Sequence, residues 1–394
     1  MTNSNYYIPY GRQTITDEDI ESVVNVLRSD YLTQGPMVPA FEQSVADEVK
    51  AKYGIAVNSA TSALHIGCLA LGLSEGDCLW TSPITFVASA NCSIYCGASV
   101  DFVDIDPLTG LMSVYELERK LSQAKKDNCL PKIVIPVHLG GSSCDMKAIY
   151  ELSTEYGFSV LEDASHAIGG SYKGTKVGSC SYSDITVFSF HPVKIITSAE
   201  GGMATTNDSD LAEKMYSLRS HGITKEKSNF ISNSTPAWGY EQQLLGFNYR
   251  MNDLQAALGL SQLKRLEAIV SRRNNIWSRY QDMLNGLPIR LLSIPKDVSS
   301  ALHLAIVSLD QQLVSVHAEI FQGLRAANIG VQLHYYPVHL QPYYQKLGFA
   351  PHQFPNSVNY SRSSFSLPIF PSLSTADQDY VVVTLSTMLS NLLP

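Results

Sequence analysis

From about residue 55 onward, short apolar runs alternate with segments whose apolar residues recur at helical spacing, such as Val114, Leu117 and Leu121. Strands that alternate with helices in this way predict βαβ units and a mostly parallel sheet. Sheets of this kind bind ligands beyond the carboxyl ends of their strands, so the loops that follow the strands should carry the chemistry. The predicted strands are Ile55–Asn58, Leu79–Thr81, Val100–Ile105, Ile133–Val137, Phe158–Glu162 and Thr186–Phe190.

The length of 394 residues indicates two to three domains. A long helix is predicted to begin near Asp253, and a strand-like run follows at Leu302–Leu309. We therefore expect an N-terminal segment at 1–30 and a large α/β domain at 31–255. The linking helix and a smaller α+β C-terminal domain would occupy 256–394. The apolar face of the linking helix would consist of Ala256, Leu260, Leu263, Leu266 and Val270.

Composition excludes several classes of function. The net charge is −8 and no basic cluster occurs, so we expect neither nucleic acid nor anionic lipid as a partner. The first residues lack the features of a signal peptide, and no apolar stretch reaches the ~18 residues of a membrane span. Seven cysteines in such a chain indicate reduced thiols and a cytoplasmic protein. Cys92 and Cys96 lack a second ligand pair, so we expect no metal site.

Three familiar site motifs are absent from the sequence, namely GxGxxG after a strand, GxxxxGK[ST] and HExxH. The dinucleotide, P-loop and zinc-protease hypotheses lose their main support. The remaining candidates for a functional site are polar residues at the ends of the predicted strands.

Asp163 comes directly after the predicted strand FSVLE, and Lys194 follows the next predicted strand, in the segment FSFHPVKIITSAEGG. A buried carboxylate can stay charged beside a cation such as the protonated pyridine nitrogen of pyridoxal phosphate (PLP). A lysine among apolar residues loses part of its charge and becomes a better nucleophile toward an aldehyde. Alone, Asp163 would more often be a helix cap or ion-pair partner, and Lys194 a surface lysine. Their position on consecutive strand ends favours a shared cofactor site.

Two further strand-to-helix turns contain residues suited to such a cofactor. Small hydroxyl residues in Ser59–Leu64 would present backbone N–H groups and a positive helix end to a phosphate. Phe86 could stack on a flat ring. Each pattern alone is common, as a helix cap and as core packing respectively.

Taken together and in order, these segments resemble the DegT/DnrJ/EryC1/StrS family of sugar aminotransferases. That family has the fold type I architecture of PLP-dependent transferases, so the resemblance implies a large domain with a sheet of the seven-stranded type. The match runs nearly end to end, through LTQGP, NSATSALH, TSPITFVASAN, EDASHAIGG, FSFHPVK, EGG, GFNYRMNDLQAALG, HYYPVHLQPYY and SLPIFP.

The resemblance implies a role for each cofactor residue. Lys194 would bond to PLP and shuttle the proton, while Asp163 would pair with the pyridine nitrogen. Asn248 would reach the phosphate of the other subunit's cofactor, so the active unit would be a homodimer. His166 stands where many members have Gln, and would contact the phenolic oxygen. The remaining cofactor residues would be Phe86 on the ring, and Thr61, Ser62 and Ser189 on the phosphate.

The resemblance also implies the substrates. L-Glutamate would donate the amino group, and the cofactor would alternate between PLP and pyridoxamine phosphate. The acceptor would be C4 of a UDP-linked 4-keto-6-deoxy-N-acetyl-hexose, in a pathway to pseudaminic acid and bacterial surface glycans. The sugar-nucleotide site would be lined by Tyr10, Asp30, Tyr31, Leu32, Thr33, Ala60, His334 and Tyr335.

Three alternatives remain open at this point. A related transaminase could act on another nucleotide sugar, such as GDP-4-keto-6-deoxymannose or a D-configured UDP-4-keto sugar. A PLP-dependent sugar dehydratase would have histidine in place of the lysine, so Lys194 argues against it. A non-catalytic regulatory protein of the same fold would be expected to have lost Lys194 or Asp163, and this chain keeps both.

Overall fold

The computed structural model of the protein describes residues 6–236 and 238–392. Residues 1–5 of the expected N-terminal segment and 393–394 of the expected C-terminal domain lie outside the described residues. The strands are β1 (Tyr53–Val57), β2 (Cys78–Thr81), β3 (Ser99–Phe102), β4 (Ile133–Ile135), β5 (Ser159–Asp163), β6 (Ser171–Tyr172), β7 (Thr175–Lys176), β8 (Ile185–Ser189), β9 (Gly202–Thr206), β10 (Ile223–Thr224), β11 (Glu241–Gln242), β12 (Ile289–Leu291), β13 (Val298–Ser299), β14 (Ala305–Leu309) and β15 (Ser364–Leu367).

Alpha helices precede, separate and follow these strands along the chain. They are α1 (Asp17–Leu27), α2 (Met37–Val49), α3 (Ala60–Ala70), α4 (Ala88–Tyr95), α5 (Val114–Asp127), α6 (Met146–Tyr156), α7 (Ser209–Arg219), α8 (Asp253–Leu263), α9 (Leu266–Leu284), α10 (His317–Ala326), α11 (Pro342–Gln345), α12 (Pro355–Ser363) and α13 (Thr375–Leu392).

A seven-stranded sheet in the order β1-β9-β8-β5-β4-β2-β3 forms the centre of the molecule. Strands β8, β5, β4, β2 and β3 pair in parallel, and each of the six predicted strands overlaps a strand of this sheet. The predicted α/β class with a mostly parallel sheet is confirmed. Strand β9 was not predicted and runs antiparallel to both of its neighbours. The connection from β8 to β9 at 190–201 contains no crossover helix, which a parallel pairing would need.

The single long helix predicted from Asp253 is wrong, because two helices occupy the segment. Helix α8 ends at Leu263 and α9 begins at Leu266. Between them, Arg265 leaves helical geometry with φ −107° and ψ 7°. Its guanidinium donates to the Asp19 carboxylate across 2.5 Å. No proline or glycine marks the break, so apolar spacing alone could not reveal it.

The C-terminal part of the chain has its own antiparallel sheet, β12-β14-β15, against which helices α9, α10 and α13 bury a separate apolar core. Ile8 from the N-terminal segment joins that core, and its backbone N–H donates to the Asn328 carbonyl across 2.9 Å. The fully buried Arg273 of α9 donates from Nη1 to the carbonyls of Leu302, His303 and Ile369. The domain boundary at 255 remains a prediction. Among the described residues, no helix is both long and apolar enough to cross a membrane.

Candidate active site

A cavity of about 730 Å³ opens where strands β5 and β8 end. The carboxyl ends of parallel strands meet at one edge of a sheet, which explains why residues from separate motifs lie together here. Ten of the residues predicted from the sequence line it. They are Tyr10, Ala60, Thr61, Phe86, Asp163, His166, Ser189, Lys194, His334 and Tyr335.

The other predicted site residues lie outside the lining of this cavity. Ser62 is buried behind it, where its hydroxyl donates to Asn58 Oδ1 across 2.7 Å. Asn248 is exposed and bridges to Ser220. The stretch from Asp30 through Tyr31 and Leu32 to Thr33 is also exposed. The roles assigned to these residues stay predictions.

Asp163 is 6% exposed, and donors hold both of its carboxylate oxygens. The Ser89 hydroxyl donates to Oδ2 across 2.6 Å, and the backbone N–H of Ser165 donates to Oδ1 across 3.1 Å. Side chains alternate along a strand, so the neighbouring Glu162 points to the other face of the sheet. There its carboxylate pairs with the Nε2 of His138 across 2.6 Å.

Lys194 lies half-buried in the loop that follows β8, with its backbone N–H donating to the His191 carbonyl across 2.9 Å. Burial lowers the pKa of its amine to about 8, and the negative charge of Asp163 opposes part of that shift. A lysine with this pKa has far more free amine near neutral pH than a surface lysine has. The arrangement therefore provides a nucleophilic amine beside a fixed carboxylate.

His166 is held in one tautomer by the backbone. The N–H of Gly140 donates to its Nδ1 across 3.2 Å, so the proton of the neutral ring lies on Nε2. Nε2 then donates to the Tyr335 hydroxyl across 3.0 Å. Burial and the nearby charge of Lys194 hold the pKa of His166 well below its usual range. The site thus contains a neutral imidazole whose N–H is directed along the cavity wall.

Several aromatic rings also line the cavity. The Phe86 side chain is 59% exposed, and its ring centroid lies 6.3 Å from that of Tyr335. The rings of Tyr10 and His334 are 5.0 Å apart. Burial, with a contribution from the charge of Lys194, lowers the pKa of His334 to about 3, so this imidazole is neutral. An exposed phenylalanine in the lining of the cavity suits a flat aromatic ligand.

The N-terminus of α3 forms an anion-binding corner. Ala60 and Thr61 begin the helix and line the cavity, and Ser59 caps it by accepting the N–H of Ser62. Free N–H groups and the helix dipole favour an anion at this point. A Cβ on Gly202 would lie 2.5 Å from the backbone N of Ala60, so only glycine lets β9 approach this turn.

Sequence reasoning missed several residues of the site. His303, Thr85, Glu200 and Gln332 line the cavity, and Ser89 supports Asp163 from behind. Each lies in a stretch whose pattern is that of an ordinary strand, helix or loop. No local signal could have identified them, because their roles depend on contacts with distant parts of the chain.

The cavity fits PLP in each of its parts. Its lysine suits the aldehyde, its carboxylate the pyridine nitrogen, its exposed phenylalanine the ring, and its helix N-terminus the phosphate. A mostly parallel seven-stranded sheet that carries these groups at its strand ends defines a PLP-dependent enzyme of fold type I.

Comparison with known proteins gives the family. The model of the DegT/DnrJ/EryC1/StrS aminotransferase family matches residues 13–386, and the chain belongs to this family. The spore coat polysaccharide biosynthesis protein SpsC of Bacillus subtilis is 41% identical over 382 residues, covering 96% of each chain. The UDP-4-amino-4,6-dideoxy-N-acetyl-beta-L-altrosamine transaminase of Campylobacter jejuni is 35% identical over 383 residues, covering 97% of each.

Solved structures agree with this assignment. Helicobacter pylori PseC, an aminotransferase of pseudaminic acid biosynthesis, superposes with a TM-score of 0.88 at 31% identity over 98% of this chain and 100% of its own. The PLP form of the putative sugar aminotransferase Spr1654 of Streptococcus pneumoniae has a TM-score of 0.89 at 29% identity, covering 99% of this chain and 100% of its own. The protein is thus a PLP-dependent sugar aminotransferase, as predicted.

Proposed function

We propose that this enzyme transfers the amino group of L-glutamate to C4 of a UDP-linked 4-keto-6-deoxy-N-acetyl-hexose. The product would be UDP-4-amino-4,6-dideoxy-N-acetyl-β-L-altrosamine, a precursor of pseudaminic acid. One observation carries the aminotransferase chemistry: Lys194, with a pKa of about 8, shares a cavity with the ionisable Asp163. The choice of sugar is supported by the names of the Campylobacter and Helicobacter relatives. The reduced thiols predicted for the chain support a cytoplasmic location.

The bound cofactor supplies an electron sink and carries the amino group from one substrate to the other. In our proposal Asp163 keeps the ring nitrogen cationic, which gives developing carbanion charge a place to go. The Lys194 amine acts first as general base and then as general acid, moving a proton between the substrate carbon and the cofactor. Phe86 covers the ring and excludes water from one face. His166, which lines the cavity, would hold the phenolic oxygen of the cofactor.

The phosphate of the cofactor and the sugar of the substrate would both be held by residues that line the cavity. Thr61 at the start of α3 and the Ser189 hydroxyl would receive the cofactor phosphate, because both line the cavity near a helix N-terminus. Tyr10, His334 and Tyr335, which also line the cavity, would contact the sugar. Their neutral hydrogen-bonding groups suit an uncharged hexose with an N-acetyl substituent.

We further propose a homodimer that completes each site. Asn248 and the stretch from Asp30 to Thr33 are exposed in one subunit, as residues that serve a partner's cavity would be. The segment 220–248 also exposes large apolar side chains, which supports its burial against a second copy. These are Ile231, Trp238, Tyr240 and Leu245, with exposed fractions of 79%, 89%, 60% and 80%.

Two experiments test the proposal. The first incubates the purified protein with L-glutamate and a panel of UDP- and GDP-linked 4-keto sugars, and identifies each product by NMR. We expect UDP-4-amino-4,6-dideoxy-N-acetyl-β-L-altrosamine as the product from the UDP-linked 4-keto-6-deoxy-N-acetyl-hexose that has the β-L-arabino configuration. A preference for GDP-4-keto-6-deoxymannose or for a D-configured UDP-4-keto sugar would refute the proposed acceptor but would still agree with the aminotransferase chemistry.

The second experiment locates the cofactor. Borohydride reduction of the protein followed by peptide mass mapping should find a pyridoxyl group on Lys194. The matched control is Lys173, a surface lysine that should remain unmodified. An adduct on another lysine, or a failure to take up PLP, would contradict the central assignment.

A further inference from the structure

A pair of buried hydroxyl groups, those of Ser89 and Thr85, lies beside the Asp163 carboxylate. The Ser89 hydroxyl lies 2.6 Å from Asp163 Oδ2, and the Thr85 hydroxyl lies 2.7 Å from that of Ser89. Ser89 is fully buried in the first turn of α4, and Thr85 is 2% exposed just before that helix. The two hydroxyls and the carboxylate therefore form one continuous hydrogen-bonded row.

The direction of each hydrogen bond follows from the number of hydrogens. A serine hydroxyl has a single hydrogen, and a carboxylate accepts hydrogen bonds but cannot donate them. The other acceptors within reach of Ser89 are the uncharged Thr85 hydroxyl at 2.7 Å and the Phe86 carbonyl at 3.4 Å, and both attract its hydrogen less than a carboxylate does. Its hydrogen therefore goes to Asp163. Thr85 must then be the donor to Ser89, so both hydroxyls direct their hydrogens toward the carboxylate.

This orientation suits a carboxylate, which can only accept hydrogen bonds. Hydrogen bonds to a charged acceptor are shorter and about twice as strong as neutral ones, and a 2.6 Å O–H···O contact lies within that range. Each donor in a row also polarises the next, which strengthens the bond at the carboxylate end. The Ser165 N–H holds the other oxygen, so the carboxylate is fixed in rotation with lone pairs left over for the cavity.

We propose that Ser89, backed by Thr85, is a positioning residue for the aminotransferase reaction. It fixes the orientation of the Asp163 carboxylate through the hydrogen bond to Oδ2, so that the remaining lone pairs would face the ring nitrogen of the cofactor. The inference rests on the proposed function, since it assigns Ser89 a role through Asp163. Ser89 itself does not line the cavity and touches no substrate.

The chain offers a matched control on the same helix. Ser93 lies one turn after Ser89, is equally buried, and donates from its hydroxyl to the Ser99 carbonyl across 2.6 Å. Its contact is directed away from Asp163. Replacing either serine with alanine removes one buried hydroxyl from α4, so a general effect on the helix would appear in both variants.

The test compares Ser89→Ala, Ser89→Thr, Thr85→Val and Ser93→Ala in the full-length protein. Two properties are measured, the dissociation constant of PLP from fluorescence titration of the apoprotein and the rate of amino transfer from glutamate under single turnover. Loss of a hydrogen bond to a charged group should weaken PLP binding in Ser89→Ala by roughly tenfold and slow transfer by roughly ten- to a hundredfold. Thr85→Val should show a smaller loss, and Ser89→Thr, which keeps the hydroxyl, should recover most of both.

Ser93→Ala should stay within about twofold of the wild type in both properties, because its hydrogen bond does not reach Asp163. Equal effects of Ser89→Ala and Ser93→Ala, or a Ser89→Thr variant as impaired as the alanine one, would overturn the inference. If Ser89→Ala does not fold, Ser89→Cys, a weaker donor of similar size, should give the same direction of change. A wild-type protein without transfer from glutamate would instead refute the proposed function.

Discussion

The imidazole of His166 and the hydroxyl of Tyr335 form a hydrogen bond of 3.0 Å across the cavity wall, although 169 positions separate them in the chain. His166 is the donor in this bond, because the backbone N–H of Gly140 donates to Nδ1 and the ring proton therefore lies on Nε2. A neutral, oriented N–H donor is thus fixed at the edge of the site.

Replacement of His166 tests this donor. His166→Phe keeps a ring and removes the N–H, so we expect kcat/KM to fall by roughly five- to a hundredfold, the value of one hydrogen bond at a charged or polar group. His166→Gln restores an amide donor and should keep most of the activity. Steady-state kinetics with glutamate check both. Tyr335→Phe is the control, since it removes the acceptor but leaves the donor free. Unchanged kinetics in His166→Phe would show that the imidazole has only a packing role.

The pKa of Lys194 predicts how cofactor uptake depends on pH. The free amine is the form that reacts with an aldehyde, and burial lowers its pKa to about 8. The uptake rate of the apoprotein should rise about tenfold per pH unit below that value and level off above it. The rate at which PLP reacts with a simple alkylamine of ordinary pKa, measured in parallel, should keep rising with pH well above the pKa of Lys194. Rapid-mixing absorbance follows both reactions, and a common plateau for the two amines would contradict a lowered lysine pKa.

Asp163→Asn should retain PLP but lose most of its activity. The amide keeps the shape of the carboxylate and removes the charge that holds the proton on the ring nitrogen. One pKa unit is worth about 1.4 kcal/mol, so several lost units should slow kcat by orders of magnitude. Bound cofactor is measured by absorbance and kcat by product formation. The control is Glu162→Gln, an equal change on the opposite face of β5, which should affect stability more than kcat. Near-normal turnover of Asp163→Asn would make this residue structural.

A shared active site predicts complementation between defective chains. If Asn248 serves the partner's cofactor, a mixed dimer of Lys194→Ala and Asn248→Ala has one site with both defects and one intact site. Lys194→Ala alone should be inactive. In Asn248→Ala the binding of PLP should be weakened by roughly 1.5–3 kcal/mol, the value of one hydrogen bond to a charged group. The assay therefore needs limiting PLP. The mixture should then exceed the sum of its parents.

The control for complementation mixes Lys194→Ala with Asp163→Asn. Both residues belong to the same subunit's cavity, so each site of that mixed dimer keeps one defect and no activity should return. Subunit exchange is verified by mass spectrometry of the mixed dimer. Verified exchange without recovery in the Asn248 mixture, or an active monomer, would refute the shared site.

Much of this protein could be predicted from local patterns in its sequence. The alternation of apolar runs with helical spacing located six strands of the central sheet, because strands buried on both faces are continuous apolar runs while helices repeat their apolar residues about every 3.6 positions. Asp163 and Lys194 could be assigned to one site, since the carboxyl ends of neighbouring parallel strands meet at one edge. Family motifs along the whole chain then predicted the cofactor, and the comparisons confirm it.

Other features were decided only by tertiary packing. At the break between α8 and α9, Arg265 contacts Asp19, and the support of Asp163 comes from Ser89, 74 positions away. The tautomer of His166 depends on the backbone N–H of Gly140. Local patterns report which face of an element is apolar, because burial recurs with the period of the backbone. They do not report which distant polar group that face will meet, because that partner is chosen when the elements pack together.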